Sequence, residues 1–128
     1  MTHRLPVRVY YEDTDMAGIV YYANYLRYIE RARSDWVRDL GIDQNRMKDE
    51  GLVFAVRRVE ADYLAPARLD DELIVETETV QATAARLVLD QKVWRGTVLL
   101  FEALVTVVTI NEGGQAVRLP ANIRRGLH

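Results

Sequence analysis

One long amphipathic helix followed by four successive strand-like runs most limits how this chain can fold. Tyr22, Tyr25, Leu26, Ile29, Ala32, Arg33, Trp36, Val37 and Leu40 recur at helical spacing, and Gly41 supplies a natural stop. Arg27, Glu30, Arg31, Asp35 and Arg38 largely take the other side of this helix of roughly five turns. Asp43 suits the cap of a short second helix that ends near Gly51. The runs beyond it are Leu52 to Tyr63, Glu72 to Val80, Arg86 to Arg95 and Val98 to Ile110. They are rich in Val, Leu, Ile and Thr and are separated by Ala65-Pro66, Asp70-Asp71 and Gly96. Everything after the second helix reads as strand. Ahead of the long helix, Leu5 to Tyr11 reads as a first strand ending in the turn-like Glu12-Asp13-Thr14-Asp15. A strand, a helix and then consecutive strands favour an α+β fold, an antiparallel meander with the helix across one face.

The last run sets a further condition. Val98, Leu100, Leu104, Val108 and Ile110 point one way, and Leu99, Phe101, Ala103, Val105 and Val107 the other, so both faces are expected to be largely buried. The helix covers one face only, so association of subunits through the sheet is expected to cover the other. At 128 residues and 49% hydrophobic content the chain (1–128) suits one domain with a real core. A formal charge of -2 gives no basic footprint for nucleic acid. No apolar run reaches the roughly 20 residues of a membrane span, and the start around Arg4 and Arg8 leads into no signal-peptide core. Cytoplasmic residence is expected, and the absence of Cys is compatible with it.

The chemistry-bearing stretch is Arg8 to Tyr25. Asp15 sits in a polar turn before Gly18-Ile19-Val20 and the helix start, which places a carboxylate beside free helix N–H groups. A carboxylate can attack an acyl carbonyl or activate water against it, and backbone N–H groups can hold the oxygen that becomes negative. The usual competitors are missing. There is no Cys, Ser34 is the only Ser, and His occurs only at His3 and His128, near chain ends that are commonly mobile. Neither a Ser-His-Asp triad, a Cys-His pair nor a His- or Cys-ligated zinc site is expected. Each residue also has a plainer reading. An Asp before a helix most often bonds nearby N–H groups. Gly18 permits a tight bend, which would also let an acyl group approach closely. Tyr21, Tyr22 and Tyr25 suit packing. Asn24 fits either a local backbone bond or the orienting of water or substrate. Glu30 suits a solvated position or an Arg pair.

Arg8-Val9, Thr14-Asp15, Gly18-Ile19-Val20 and Ala23-Asn24-Tyr25 resemble, in residue and spacing, the active-site signature of the 4-hydroxybenzoyl-CoA thioesterase family. Through Glu30-Arg31-Ala32-Arg33 and Ala65-Pro66-Ala67-Arg68-Leu69-Asp70-Asp71 the chain looks most like the branch of acyl-CoA thioesterases associated with the Tol-Pal system. The resemblance spans nearly the whole chain. It implies the hotdog fold, a five-stranded antiparallel sheet wrapped on a long central helix, and a homodimer or homotetramer with the acyl cleft at a subunit boundary. It also implies that Asp15 is the catalytic carboxylate and that the Tyr22 backbone N–H donates to the thioester carbonyl. Where many relatives in that branch have Tyr-His-Ala-Asn-Tyr, this chain has Tyr21-Tyr22-Ala23-Asn24-Tyr25. That departure weakens a mechanism needing His there and leaves the backbone donor in place.

The expected activity is hydrolysis of an acyl-CoA thioester to free acid and coenzyme A, with no metal or redox cofactor and coenzyme A entering as part of the substrate. Asp15 is nucleophile or general base, and Gly18, Asn24 and Tyr25 are expected to bind the substrate. Arg57, Arg58, Arg86, Lys92 and Arg95 are candidates for the coenzyme A phosphates, each with a dispersed soluble surface as the alternative. A hydratase would ordinarily want an Asp and His pair. A non-catalytic acyl-thioester binding or scaffold protein, meeting acyl carrier protein or a lipid-synthesis enzyme through its Arg-rich patches, is the other reading.

Overall fold

In the computed structural model, which describes residues 2–119 and 121–126, the long helix is α1 (Asn24–Asp39) and the short one α2 (Gln44–Asp49). α1 turns Tyr25, Tyr28, Ile29, Ala32, Trp36 and Val37 inward at helical spacing. Tyr28 therefore belongs to the apolar stripe, while Leu26 and Leu40, expected on it, are exposed. α1 ends as the sequence indicates. Gly41 takes a left-handed φ of 81°, its N–H bonds the Arg38 carbonyl, and the Ile42 N–H bonds the Val37 carbonyl. Asp43 caps α2 by accepting from the Asn45 and Arg46 N–H groups.

The sheet comprises β1 (His3–Arg8), β2 (Val53–Tyr63), β3 (Glu72–Ala82), β4 (Leu87–Arg95) and β5 (Val98–Ile110), in the order β1-β3-β4-β5-β2, with every neighbouring pair antiparallel. The two-residue strand β6 (Ala116–Val117) pairs with the end of β5, and α3 (Ala121–Gly126) follows. These two elements correct the expectation of strands alone beyond α2. The first strand is also displaced from the expected Leu5 to Tyr11, beginning at His3. It stops at Arg8, because the Val9 backbone bonds Asp71 and Asp70, and a 3-10 turn (Tyr11–Asp13) comes next.

Phe101, Ala103, Val105, Val107 and Thr109 of β5 are buried on the helix side. Leu104 is exposed on the other side, and Glu102, Thr106, Val108 and Ile110 are half-buried there. The outer face thus lies bare in a single chain. It is more polar than its apolar residues suggested, with Glu60, Asp62, Glu76, Asp90 and Glu102 around Lys92. Leu100, expected on that face, is fully buried, because the register shifts between Val93 and Trp94 and leaves Leu100 unpaired opposite them.

One buried polar group ties α1 to the middle of the sheet. Gln91 is wholly buried on β4, and its Nε2 donates to the Ile29 carbonyl and to Thr77 Oγ1, both at 2.9 Å. Its Oε1 accepts from Arg33 Nη1 at 2.9 Å. Gln91→Leu would strand a buried hydroxyl and remove the acceptor of a half-buried guanidinium. We expect it to cost about 2–3 kcal/mol, read as a lower denaturation midpoint at unchanged slope.

His3 is a correction. It is paired with Thr77 in β1, its side chain is 10% exposed, and its Nε2 lies 2.9 Å from Asp35 Oδ2 and 3.4 Å from Asp39 Oδ2. It is a clasp between β1 and α1 and not part of a mobile end. His128 lies outside the described residues.

Candidate active site

The loop between β1 and α1 is fixed by Asp13. One carboxylate oxygen accepts from the Tyr10 N–H and the other from Asn24 Nδ2, both at 2.9 Å, while its carbonyl accepts from the Tyr21 N–H at 2.8 Å. Inside that frame the chain folds back on itself. Thr14 pairs with Val20, the Asp15 N–H bonds the Ile19 carbonyl, and the Gly18 N–H bonds the Asp15 carbonyl. Gly18 has φ +76° and a Cβ there would meet nothing within 4 Å, so glycine answers a backbone demand and not crowding within this chain. The Val20 N–H on the Ala67 carbonyl and the Ile19–Arg68 bridge then pin the loop to the segment after β2.

Asp15 is exposed at the tip of this turn. Its Oδ1 accepts the Ala17 N–H at 2.9 Å, the local bond such a residue ordinarily makes. Its Oδ2 has no partner among the described residues, which leaves one oxygen available for chemistry.

Tyr22 precedes α1 and is not part of it. It is the second residue of a turn closed by the Asn24 N–H on the Tyr21 carbonyl at 2.8 Å. The Tyr22 N–H has no acceptor among the described residues, and the Tyr22 carbonyl accepts from Tyr63 Oη at 2.9 Å. Tyr63 lies at the end of β2, 41 residues away. It fixes the peptide that carries the candidate donor, and nothing in the local sequence pointed to it.

Asp15 and Tyr22 line one open cleft of about 480 Å³ with Ile19, Val20, Tyr25, Tyr63, Leu64, Ala65 and Pro66. Apart from the phenols, Asp15 is the sole ionisable side chain in that lining. Tyr25 is buried, stacks on Phe101 at 5.1 Å, and accepts the Ala67 N–H on its hydroxyl at 3.0 Å. Burial pushes the Tyr25 phenol up against the opposing effect of that N–H, and burial followed by Tyr22 pushes Tyr63 up. Both phenols are neutral at physiological pH, so Tyr63 keeps the proton it donates. The arrangement combines a carboxylate with a free oxygen, an unpaired backbone N–H and apolar walls.

Gly18 and Asn24 do not line the cleft. Asn24 donates its amide to the Asp13 carboxylate and serves the loop through a side chain eleven residues away, and not through the local backbone bond its sequence suggested. The five basic candidates are not gathered at one place. Arg95 bonds Asp71 at 3.0 Å and the Pro66 carbonyl at 3.2 Å, so it braces a cleft wall. Arg86, at the opposite end of β4, bonds Gln81. Lys92 pairs with Asp90 and Arg58 with Glu60, and Arg57 is the extra residue of a bulge in β2. A sixth cation, Arg68, lies nearer the turn than the sequence suggested. Arg68 is exposed, its backbone pairs with Ile19 beside the Asp15 turn, and its guanidinium has no partner among the described residues. Its place in Ala65-Pro66-Ala67-Arg68 was the available signal.

His3, Asp35 and Asp39 place three potential ligand atoms within 4.8 Å of one another. His3 Nδ1 is buried with no partner. A cation on Nε2 would put a proton on that orphaned nitrogen, whereas ligating imidazoles normally donate it to an acceptor. The group suits a hydrogen-bonded clasp between β1 and α1 better than a metal site.

Comparison with known proteins bears on the fold and the reaction class. Residues 9–127 match the model of the thioesterase-like superfamily. An acyl-CoA thioesterase, YbgC, of Haemophilus influenzae is 40% identical over 125 residues, covering 96% of this chain and 92% of the relative. The crystal structure of a probable thioesterase from Bartonella henselae superposes with a TM-score of 0.89 at 36% identity, covering 94% of this chain and 100% of that one. A 4-hydroxybenzoyl-CoA thioesterase in complex with 4-hydroxybenzoyl-CoA superposes with a TM-score of 0.92 over 99% of both chains, and at 23% identity it speaks to the fold alone. The antiparallel sheet with its covering helix is the hotdog fold, and the chain belongs to the thioesterase-like superfamily.

Proposed function

We propose that this protein hydrolyses acyl-CoA thioesters to a free acid and coenzyme A, with Asp15 and the Tyr22 backbone N–H as its working groups. The observation that carries this reading is their meeting in one apolar-walled cleft, the carboxylate with a free oxygen and the N–H without an acceptor. A thioester seated there with its carbonyl oxygen on the Tyr22 N–H would gain most from that bond as the oxygen becomes negative. Asp15 then has two balanced routes. Its free oxygen adds to the carbonyl carbon, the C–S bond breaks, the thiolate leaves and takes a proton, and water opens the mixed anhydride. Alternatively Asp15 takes a proton from a water that adds to the carbonyl, and the thiolate leaves with a proton. Neither route requires a metal or redox cofactor, and coenzyme A belongs to the substrate. Arg68, beside the turn, is the cation best placed for its phosphates.

The test is a thiol-release assay over short aliphatic, long aliphatic and aromatic acyl-CoAs. Turnover of at least one class is expected. Tight acyl-CoA binding without thiol release would instead support the scaffold reading.

We further propose that the working form is at least a dimer, with a tetramer consistent with the family. β2 is an eleven-residue edge strand paired on one side only, and its Val56, Val59 and Tyr63 are exposed. Stacking the outer faces of two sheets would oppose carboxylates such as Glu102 and Asp90, so pairing along the β2 edge is favoured. Light scattering at micromolar concentration should give at least twice the 14.7 kDa of one chain. A stable monomer would contradict this. No helix among the described residues is long and apolar enough to cross a membrane. Separately, we propose cytoplasmic residence, where acyl-CoA substrates are formed.

A further inference from the structure

One bond of the Asp15 loop is needed neither by the local turn nor by the helix. In the 3-10 turn, one Asp13 carboxylate oxygen accepts the Tyr10 N–H, which completes its local duty. The other oxygen reaches eleven residues on to Asn24 Nδ2, at 2.9 Å. Asn24 is the first residue of α1, and the helix takes no side-chain cap at its entry. The Asn24 side chain therefore caps nothing. It is nonetheless buried, where a polar group costs free energy unless it is bonded.

The bond closes a ring around the Tyr22 N–H. The Asp13 carbonyl accepts the Tyr21 N–H at 2.8 Å, the Tyr21 carbonyl accepts the Asn24 N–H at 2.8 Å, and the Asn24 side chain returns to Asp13. The Tyr21 carbonyl and the Tyr22 N–H belong to one planar peptide, so holding the first directs the second. Asp13 also begins the short ladder that carries Asp15. Its carbonyl bond to Tyr21, the Thr14–Val20 bridge and the Asp15 N–H on the Ile19 carbonyl make Asp13 to Tyr21 one folded-back unit. Asp15 sits at the tip of that unit and Tyr22 just past its base, where α1 starts. The Asp13–Asn24 bond thus sets the carboxylate-bearing ladder against the helix start that bears the N–H.

We propose that Asp13 and Asn24 are positioning residues of the hydrolysis, their bond holding the Asp15 carboxylate and the Tyr22 N–H at the separation at which one acts on a thioester carbon and the other on its oxygen. This rests on the roles proposed above for Asp15 and Tyr22. Neither Asp13 nor Asn24 lines the cleft, so both act through the groups they hold. The pairing is chemically directional, since an acceptor-only carboxylate faces an amide donor. Asp13→Asn turns one oxygen into an N–H₂ facing another donor. Asn24→Asp sets two carboxylates against each other, at a helix start where Asp alone is favourable. Exchanging both residues restores one carboxylate and one amide, with the new amide accepting the Tyr10 N–H and donating to the new carboxylate.

The experiment measures thiol release from butanoyl-, palmitoyl- and benzoyl-CoA by the intact protein carrying Asp13→Asn, Asn24→Asp or both changes. Asn24→Ala is added because it deletes the donor without opposing like groups. In each single variant kcat should fall by about 10- to 10²-fold, the scale of a displacement of about 1 Å, with KM within about threefold of native. The exchanged pair should return kcat to within about threefold of native, a coupling that separate structural losses would not produce. Circular dichroism and oligomer size establish folding, and turnover is referred to folded protein. Native kcat in the folded single variants, or an exchanged pair no better than they are, would overturn the inference. If Asn24→Asp does not fold, Asn24→Ala and the exchanged pair decide by the same criteria. Asp15→Asn is assayed in parallel. Its native turnover would remove the working groups themselves, whereas its loss of turnover beside native kcat in the Asp13 and Asn24 variants would remove this inference alone.

Discussion

Asp15→Asn should lower kcat for acyl-CoA hydrolysis by about 10²–10⁴-fold while leaving the fold intact. The amide oxygen of Asn can still accept the Ala17 N–H, so the Asp15–Gly18 turn keeps its local bond. The side chain is exposed, and its replacement should alter stability by no more than about 0.5 kcal/mol. What disappears is the free anionic oxygen, which both chemical routes require. The effect should fall on kcat with little change in KM, since the apolar walls that hold the acyl group are untouched. Circular dichroism, oligomer size and the urea midpoint of the variant serve as controls. Turnover within a fewfold of the native protein, with those controls normal, would remove Asp15 from the mechanism.

The parts legible in sequence are those decided locally. The period of Tyr25, Ile29, Ala32, Trp36 and Val37, the stop at Gly41 and the cap at Asp43 depend on neighbours within a turn, and each is found where it was expected. The alternation of Phe101, Ala103, Val105 and Val107 put them on one face of β5 for the same reason, while the choice of that face for the helix came only with the structure. Features set by distant partners were not legible. Tyr63 steadies the Tyr22 peptide from 41 residues away, and neither residue's surroundings announce the other. Leu100 changes sides because of a bulge whose cause lies in the pairing with β4. His3 looked like part of a loose end because its anchor is Asp35 on α1, 32 residues along the chain. The cations failed for a related reason. Arg57, Arg58, Arg86, Lys92 and Arg95 share a charge but not a location, and four of them are already engaged with neighbours such as Asp71, Asp90, Glu60 and Gln81. Arg68 became visible only through its pairing with Ile19.

The second large effect concerns an atom that ordinary substitution cannot reach, the Tyr22 amide hydrogen. Tyr22 is the second residue of a turn closed from Asn24 to Tyr21, a position where proline is favoured, and its N–H makes no hydrogen bond that proline would break. Tyr22→Pro should therefore fold. Tyr22→Ala is its control, because both lose the ring that packs 4.8 Å from Tyr21 and 6.4 Å from Tyr63, and both keep the carbonyl that Tyr63 Oη holds. If the N–H holds the developing oxyanion, the proline variant should fall below the alanine variant in kcat by about 10²–10³-fold, the cost of removing one such donor. Tyr22→Phe keeps ring and N–H alike and should retain most activity, since the Tyr22 hydroxyl has no part in either route. Equal turnover in folded proline and alanine variants would eliminate the backbone donor. Loss of activity in the phenylalanine variant would shift the role to the Tyr22 hydroxyl, 63% exposed though the residue is.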